Sequence, residues 1–185
     1  EYLASNMKKG LDLDALLNNL NGIFAFVFYD LVENKCWFVR DHIGIKPLYY
    51  HMAEEEVYFC SEVNALIRLG INEKSLSVKE LSRYLCFLWK PGDIEAVNGI
   101  NSVPAGSFLE ICLGEKPKLK AWYELPLSKK QPKSNADLSS IVGEVQSTIK
   151  EVVQSQLISD APVGCFLSGG LDSSSICYFA NQASK

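Results

Sequence analysis

The hydrophobic period of the chain changes near residue 22. Before that point the leucines recur at the spacing of an amphipathic helix, which Asn21-Gly22 ends. From Ile23 to Tyr29 every side chain is apolar, and successive side chains of a strand point to opposite faces. The pattern therefore predicts a strand that is covered on both faces, inside a sandwich of layers. The leucines with helical spacing are Leu11, Leu13, Leu16, Leu17 and Leu20.

Between residues 30 and 123 short apolar runs alternate with turn-forming residues, which is typical of strands joined by hairpins and short loops. Two amphipathic stretches interrupt this pattern and predict helices. Ser61 is the predicted N-cap of the first helix, and Gly70 is its predicted stop. The predicted elements are a strand at 36–39, a strand after the loop at Gly44 and Pro47, a strand at 57–60, helices at 62–69 and 77–89, a loop at 94–103, and strands at 107–113 and 118–123.

A change in composition marks a domain boundary. Residues 124–139 are rich in Lys, Pro and Ser and show no apolar periodicity, which is typical of a linker between domains. Helical spacing returns at residues 140–158. We therefore expect a first domain at residues 1–125, a linker at 126–139 and the start of a second domain at 140–185.

The most informative stretch runs from Val163 to Ile176. Its apolar beginning, up to Leu167, predicts a short buried strand, and the serine and glycines that follow end this strand. Asp172 and Ser173 are the predicted caps of a helix after the glycines. A strand, a glycine turn and a helix present free backbone N–H groups and the positive end of a helix dipole to an anion.

Side chains around the glycines add hydrogen-bond donors and a metal ligand. The hydroxyls of Ser168, Ser173 and Ser174 can donate to phosphate oxygens, and Asp172 is a suitable ligand for Mg²⁺. The stretch lacks GxxxxGK[ST] and has no lysine after its glycines, which favours a diphosphate that leaves as pyrophosphate. The sequence SGGLDSS resembles the pyrophosphate loop of the ATP pyrophosphatases. The plainer alternative is a serine- and glycine-rich turn that binds no ligand.

Composition narrows the function classes. With 185 residues, 48% of them apolar and 22% charged, the chain has the composition of a soluble globular protein. A net charge of -4 without a basic stripe argues against general nucleic-acid binding. No apolar run approaches the roughly 20 residues of a membrane span. The cysteines lack metal-binding spacing and lie in apolar segments, which predicts reduced core thiols in a cytoplasmic protein.

Three further segments carry a second resemblance. They are Leu20–Phe26, Arg40–Tyr49 and Ser61-Glu62, with the sequences LNGIFAF, RDHIGIKPLY and SE. Together they resemble the second half of the class II glutamine amidotransferase domain, in the version found in glutamine-hydrolysing asparagine synthetases. The pyrophosphate-loop motif follows where that family carries it, so the resemblance covers nearly the whole chain.

This resemblance implies a fold and a set of site residues. The implied fold class is a partial α+β sandwich of the N-terminal nucleophile type (αββα), followed by the start of an α/β Rossmann-like ATP pyrophosphatase domain. ATP and Mg²⁺ are the implied cofactors, with Asp172 as the metal ligand and with Phe166 and Leu167 on the adenine side. The implied ATP- and pyrophosphate-binding residues are Phe166, Leu167, Ser168, Gly169, Gly170, Asp172, Ser173 and Ser174.

The glutaminase nucleophile of the family is a cysteine at the mature N-terminus, whereas this chain begins with Glu1. We therefore assign no catalytic residue in the chain and expect a piece of a longer protein that does not hydrolyse glutamine by itself. His42 lies in a loop that is structural in the family, and His51 ends a strand, so neither is predicted to be catalytic. Arg40 and Asp41 could bind a carboxylate or a cation, but the sequence favours an ion pair that braces the loop.

The resemblance implies ATP-dependent synthesis of asparagine from aspartate. Glutamine donates the nitrogen, a β-aspartyl adenylate is the intermediate, and AMP and pyrophosphate are released. The expected partners are these small-molecule substrates, without nucleic acid or membrane, and a homodimer is one state that the resemblance allows. Two alternatives stay open: a relative that amidates or cyclises another carboxylate, and a truncated, non-catalytic interaction module. The acidic charge disfavours a tRNA-modifying pyrophosphatase with the same loop.

Overall fold

The computed structural model describes residues 2–7, 12–54, 56–71, 75–93, 95–112, 114–127 and 137–183. The chain divides into two compact units, Glu1–Pro126 and Leu127–Lys185. The elements of the first unit are, in chain order, α1 (Tyr2–Met7), α2 (Leu13–Leu17), β1 (Ala25–Asp30), β2 (Lys35–Arg40), β3 (Tyr49–Met52), β4 (Val57–Cys60), α3 (Val63–Leu69), α4 (Val78–Phe87), β5 (Ile100–Ser102), β6 (Ser107–Cys112) and β7 (Lys118–Ala121). The second unit contains α5 (Leu138–Gln156) and α6 (Leu171–Ala183).

The strands of the first unit form two antiparallel sheets. One sheet has the strand order β1-β2-β6-β7, and the other has the order β4-β3-β5. The strand predicted at 36–39 is confirmed as part of β2, which pairs with β1 in a register that places Val27 opposite Phe38. Together with α1 to α4, the sheets give this unit the predicted α+β architecture.

Side chains of β1 pack in two directions. Phe26 and Phe28 pack against an outer cluster that includes Leu17 of α2. Val27 packs against an inner cluster, which Tyr50 of the second sheet also contacts. The prediction of a strand covered on both faces is therefore confirmed. The buried residues of the outer cluster are Leu13, Leu17, Trp37, Val39, Phe108 and Trp122, and those of the inner cluster are Phe38, Leu48, Val103 and Leu109.

A glycine fixes the turn before β6. Gly106 has φ +60°, and a Cβ atom there would lie 2.8 Å from the carbonyl oxygen of Tyr123. The N–H of Gly106 donates to the carbonyl of Asp41 at 2.8 Å, and its own carbonyl accepts from the N–H groups of Trp122 and Tyr123 at 2.9 and 3.0 Å. Because these backbone segments approach so closely, the position requires a residue without a side chain.

Three local predictions for the first unit differ from the structure. The loop predicted at residues 94–103 contains β5, whose three residues form a strand because they pair with β3. The N-cap of α3 is Glu62 rather than Ser61, and its side chain makes no capping hydrogen bond. The helix predicted before residue 20 corresponds to α1 and α2. Leu11 lies outside the described residues.

The described part of the second unit contains two helices and a connecting segment. Helix α5 lies against α6, and Val153 and Ala180 are buried. The short buried strand predicted from Val163 to Leu167 is wrong, because residues 162–168 have no regular secondary structure and both of these side chains are exposed. A strand needs a neighbour for its backbone hydrogen bonds, and the described part of this unit contains none. The Rossmann-like arrangement therefore stays a prediction.

Candidate functional site

The glycine loop, residues 168–170, leads directly into α6. Gly169 has φ +82°, in the left-handed region that glycine enters without strain. The N–H of Ser174 donates to the carbonyl oxygen of Gly170 at 3.1 Å. This bond opens the helical series, so the N–H groups of residues 171–173 have no preceding helical carbonyl to donate to. These N–H groups and the positive end of the helix dipole together favour an anion at this position.

The caps predicted for this helix are wrong. Asp172 and Ser173 lie inside the first turn, because helical geometry already begins at Leu171. The Asp172 side chain is exposed. A carboxylate in the first turn interacts favourably with the helix dipole even when it does not cap the helix.

Two serine hydroxyls meet beside the glycines. Ser168 Oγ lies 3.0 Å from Ser173 Oγ, and the Ser173 hydroxyl donates to the carbonyl of Gly170 at 3.2 Å. Ser174 is exposed on the next position of the helix. The structure thus brings together the hydroxyls of Ser168 and Ser173 at the start of α6, where phosphate oxygens can accept from hydroxyl and amide donors at once.

The two glycines of the loop differ in what the protein itself requires. Gly169 needs its freedom because φ is positive. Gly170 does not have a positive φ, and a Cβ atom there would meet only the Ser168 hydroxyl, at an ordinary contact distance of 3.6 Å. The fold therefore leaves room for a side chain at position 170, and the bare backbone is open to a ligand instead.

The remaining residues predicted for the site lie around this loop. Phe166 and Leu167 are on the incoming segment, and both side chains are exposed. Among the described residues, no group of three or more His, Cys, Asp or Glu side chains is arranged to hold a metal ion. Asp172 alone fits Mg²⁺ that keeps several waters and is shared with phosphate oxygens.

A second polar cluster braces the loop after β2. The guanidinium of Arg40 donates to backbone carbonyl oxygens of Gly44, Lys46 and Val103, at 2.8, 2.9 and 2.7 Å. Arg40 and Asp41 both lie in the described residues, and no ion pair joins them, so the predicted pairing is wrong. Each side chain instead makes hydrogen bonds with backbone groups that the loop leaves without backbone partners.

Asp41 is a buried carboxylate that accepts backbone hydrogen bonds. Its two oxygens accept from the N–H groups of Ile45 and Lys46 at 2.9 and 3.0 Å. Burial alone would raise the pKa of Asp41, but backbone N–H groups of residues 43–46 hold this pKa below its ordinary value. Asp41 is therefore a positioning residue for the loop.

The two histidines occupy different surroundings. The ring of His42 lies edge-on to those of Trp122 and Tyr123, with ring centroids 4.6 Å apart in each case. His51 Nδ1 lies 2.7 Å from the carbonyl oxygen of Gly99. Both contacts are of the kind that positions side chains within a fold, and neither histidine lies in the glycine loop.

Comparison with known families identifies both parts of the chain. A family model described as glutamine amidotransferase domain matches residues 3–123, and one described as asparagine synthase matches residues 144–185. The chain belongs to the asparagine synthetase family. The glycine loop and α6 lie within the region matched by the asparagine synthase model.

Several curated proteins are similar to this family member. Asparagine synthetase [glutamine-hydrolyzing] 1 of Bacillus subtilis is 31% identical over 165 residues, which are 89% of this chain and 25% of the relative. Putative asparagine synthetase [glutamine-hydrolyzing] 2 of Methanocaldococcus jannaschii is 29% identical, over 86% of this chain and 31% of the relative. Amidase chry2 of Gibberella zeae is 28% identical, over 92% of this chain and 25% of that protein.

The chain thus spans between 25% and 31% of the length of these relatives. None of the helices in the described ranges has both the length and the apolar character that crossing a membrane demands.

Proposed function

We propose that the protein is a glutamine-dependent asparagine synthetase that uses ATP. Residues 1–125 would form part of its glutamine amidotransferase domain, of the N-terminal nucleophile type, and residues 126–139 the linker. Residues 140–185 would begin its Rossmann-like ATP pyrophosphatase domain. Family membership, the asparagine synthetases among the relatives and the anion-binding geometry of the glycine loop support this proposal. We also propose that it works in the cytoplasm on small-molecule substrates.

The proposed reaction has two bond-making steps. The side-chain carboxylate of aspartate attacks the α-phosphorus of ATP, the bond to the bridging oxygen breaks, and pyrophosphate leaves. Ammonia released from glutamine then attacks the activated carboxyl carbon, and AMP leaves as the amide of asparagine forms. No residue of this chain is assigned to glutamine hydrolysis.

The glycine loop would stabilise the charge that develops on the departing diphosphate. Free N–H groups of residues 171–173 are donors already in place, so these groups need little reorganisation when the charge appears. The hydroxyls of Ser168, Ser173 and Ser174 would turn towards phosphate oxygens, because Ser173 donates its proton to the carbonyl of Gly170 without a ligand. The backbone at Phe166 and Leu167 would face the adenine side. Asp172 would hold Mg²⁺, which supplies positive charge to the phosphate oxygens when bound.

Gly170 is the observation that carries the proposal. Neither φ nor crowding requires glycine at this position, so its bare backbone is explained by the close approach of a phosphate group. A turn that served only to connect the segment to α6 would accommodate alanine here. The plainer interpretation, a turn without a ligand, accounts for this glycine only through the modest preference for glycine over alanine immediately before a helix.

Exchange of labelled pyrophosphate into ATP, catalysed by the complete protein, tests the function. We expect exchange that depends on aspartate and Mg²⁺, since the first step is reversible and needs the carboxylate. Absence of exchange with every carboxylate, in protein shown to be folded, would contradict enzymatic function and favour a non-catalytic interaction module.

A second candidate is a relative that amidates or cyclises a different carboxylate. Two relatives at 28% identity carry the name amidase, chry2 of Gibberella zeae and chyE of Penicillium rubens. The same exchange assay separates the candidates. If exchange is absent with aspartate but occurs with another carboxylic acid, the pyrophosphate chemistry is retained and the product is not asparagine.

A further inference from the structure

A cavity of about 490 Å³ lies beside the outer cluster of the first unit. Its volume falls within the range of cavities that bind small ligands. The outer cluster contributes the buried side chains of Leu13, Trp37 and Phe108 to its lining, and charged side chains of both signs complete the lining. None of the roles proposed above uses this cavity, because the glycine loop belongs to the other unit.

Glu110 is a half-buried carboxylate in the lining of this cavity. The register of the sheet places it directly between Trp37 of β2 and Lys118 of β7. Trp37 Nε1 donates to Oε2 of Glu110 at 2.9 Å, which fixes the orientation of the carboxylate. Among the described residues, its other oxygen has no hydrogen-bond partner, and no lysine or arginine forms an ion pair with Glu110. An acceptor oxygen is therefore left for a ligand.

Lys118 is the side chain expected to pair with Glu110. Opposite charges at directly opposed positions of neighbouring strands attract each other. However, the ammonium group of Lys118 pairs with Glu115 at 2.7 Å, and Glu115 lies outside the lining of the cavity. The partners of the two other lysines in the lining, by contrast, belong to the lining themselves. Glu110 and Lys118 thus present opposite charges on neighbouring strands without joining them.

We propose that this cavity binds a free α-amino acid with an apolar side chain. The ammonium group of the amino acid donates to the open oxygen of Glu110, and its carboxylate accepts from Lys118. The ion pair between Lys118 and Glu115 opposes this weakly, because both side chains are more than half exposed and exposed ion pairs contribute little to stability. The apolar side chain of the ligand lies against Trp37 and Phe108.

Ligands that carry charge of one sign fit this cavity less well. An anion meets the open carboxylate of Glu110, and a simple cation meets the three lysines of the lining. In the described ranges, no three His, Cys, Asp or Glu side chains are arranged to hold a metal ion. An amino acid carries both charges next to each other, so it matches both sides of the gap at once.

Calorimetric titration of the complete protein tests the site with leucine and with two analogues that each lack one charge. Isoamylamine is leucine without its carboxylate, and isocaproate is leucine without its amino group. We expect leucine to bind at millimolar or lower concentrations and each analogue to bind at least roughly tenfold more weakly. Absence of leucine binding, or binding of either analogue as tight as that of leucine, would overturn the proposal.

The indole N–H resonance of Trp37 locates the bound ligand in an NMR spectrum. An ammonium group on Glu110 changes the surroundings of the hydrogen bond from Trp37, so we expect this resonance to shift when leucine binds. The exposed Trp89 is the internal control, and its resonance should stay in place. Trp37→Phe assigns the resonance. An unchanged Trp37 resonance in protein saturated with leucine would overturn the site.

Three variants test the two charges separately. Glu110→Gln keeps an acceptor for the indole of Trp37 but removes the negative charge, so leucine should bind at least roughly tenfold more weakly. Lys118→Met should weaken leucine binding to a similar extent. Glu115→Gln removes the competing partner of Lys118, so leucine should bind more tightly. Weaker binding in Glu115→Gln would contradict the role of Lys118.

The matched controls are Glu124→Gln and Lys79→Met, which remove exposed charges outside the lining of the cavity. Both should bind leucine as the parent does, and an equal loss in these controls would overturn the site. Leucine binding without pyrophosphate exchange would contradict the proposed function and keep this site. Exchange without leucine binding would contradict this site alone.

Discussion

At the scale of single residues, the two glycines of the loop differ in whether the backbone conformation requires them. Gly169 supplies a left-handed turn, and Gly170 supplies an open backbone that the protein itself does not need. A substitution at each position therefore tests a different property. Asp172 and Asp41 form a similar contrast, because one carboxylate is exposed beside the loop and the other is buried among backbone N–H groups.

Gly170→Ala should bind pyrophosphate at least tenfold more weakly with little change in stability. Loss of a favourable helix cap costs about 0.5 kcal/mol, and the reduced entropy of the unfolded chain offsets a similar amount. Gly169→Ala should instead lower the free energy of unfolding by about 1 kcal/mol, because alanine resists the left-handed region. Urea denaturation followed by circular dichroism, together with calorimetric titration of magnesium pyrophosphate, measures both effects. Pyrophosphate binding by Gly170→Ala equal to that of the parent would contradict the site.

Asp172→Asn should leave folding nearly unchanged and slow aspartate-dependent pyrophosphate exchange by roughly a hundredfold or more. The amide keeps the size of the side chain but removes the charge that would hold Mg²⁺ against phosphate oxygens. The matched control is Asp160→Asn, which removes another exposed carboxylate of the same unit. Near-parental exchange in Asp172→Asn would contradict the assignment of Asp172.

Asp41 predicts a loss of stability in acid. Because its folded pKa lies below the ordinary value of 3.8, the unfolded chain takes up the proton more readily. The stabilisation is therefore present above that value and is lost as the pH falls towards the folded pKa. Denaturation midpoints measured across this range should fall with pH in the parent and change less in Asp41→Asn. The control is Asp93→Asn, which removes an exposed carboxylate and should keep the fall of the parent. A fall in Asp41→Asn as steep as that of the parent would assign the acid sensitivity to other groups.

At the scale of elements, the sequence predicts a strand correctly where the side chains of the segment alternate with the period of a strand. The residues of β1 alternate between two apolar faces, and the structure covers both faces as predicted. The strand β5 is different, because its three residues show no period and exist as a strand only through pairing with β3. The strand predicted from Val163 to Leu167 is wrong because strand formation also depends on pairing. It has the composition of a strand, but the described part of its unit offers no strand to pair with.

Helix α2 gives a test of packing at this scale. Leu17 is fully buried at 0% exposure in the outer cluster, so Leu17→Ala should lower the free energy of unfolding by about 2–5 kcal/mol. Leu31→Ala, in the exposed turn between β1 and β2, serves as the control and should change it by less than about 0.5 kcal/mol. Urea denaturation followed by tryptophan fluorescence measures both, since Trp37 and Trp122 belong to the same cluster. Equal stability of the two variants would contradict the packing of α2.

At the scale of the whole molecule, amide hydrogen exchange should rank the segments. Strand β2 lies between β1 and β6, so its backbone hydrogen bonds are sheltered on both edges. Residues 162–168 belong to no ladder or helix and should exchange at nearly the rate of an unstructured peptide. Mass-spectrometric exchange of the 185-residue chain measures both regions together. Protection at residues 162–168 equal to that of β2 would indicate that this segment pairs as a strand after all.

Part of the candidate site could be predicted from the sequence. The residue types of the motif SGGLDSS indicate an anion at the start of a helix, and the residues after the glycines predict the helix α6. The motif does not give the contact between Ser168 and Ser173, because that contact depends on the left-handed turn at Gly169. For the same reason Arg40 and Asp41 were predicted as partners, although each bonds to backbone atoms that folding brings near.

The close backbone contacts of Gly106 predict which substitutions this protein tolerates. Any side chain at position 106 would collide with the Tyr123 carbonyl, whereas position 170 accommodates one. In a deep mutational scan, substitutions at Gly106 should be depleted under selection for cellular abundance alone. Those at Gly170 should survive that selection and disappear only when growth requires the product of the proposed reaction. Such a scan would therefore separate glycines retained for the fold from glycines retained for the ligand.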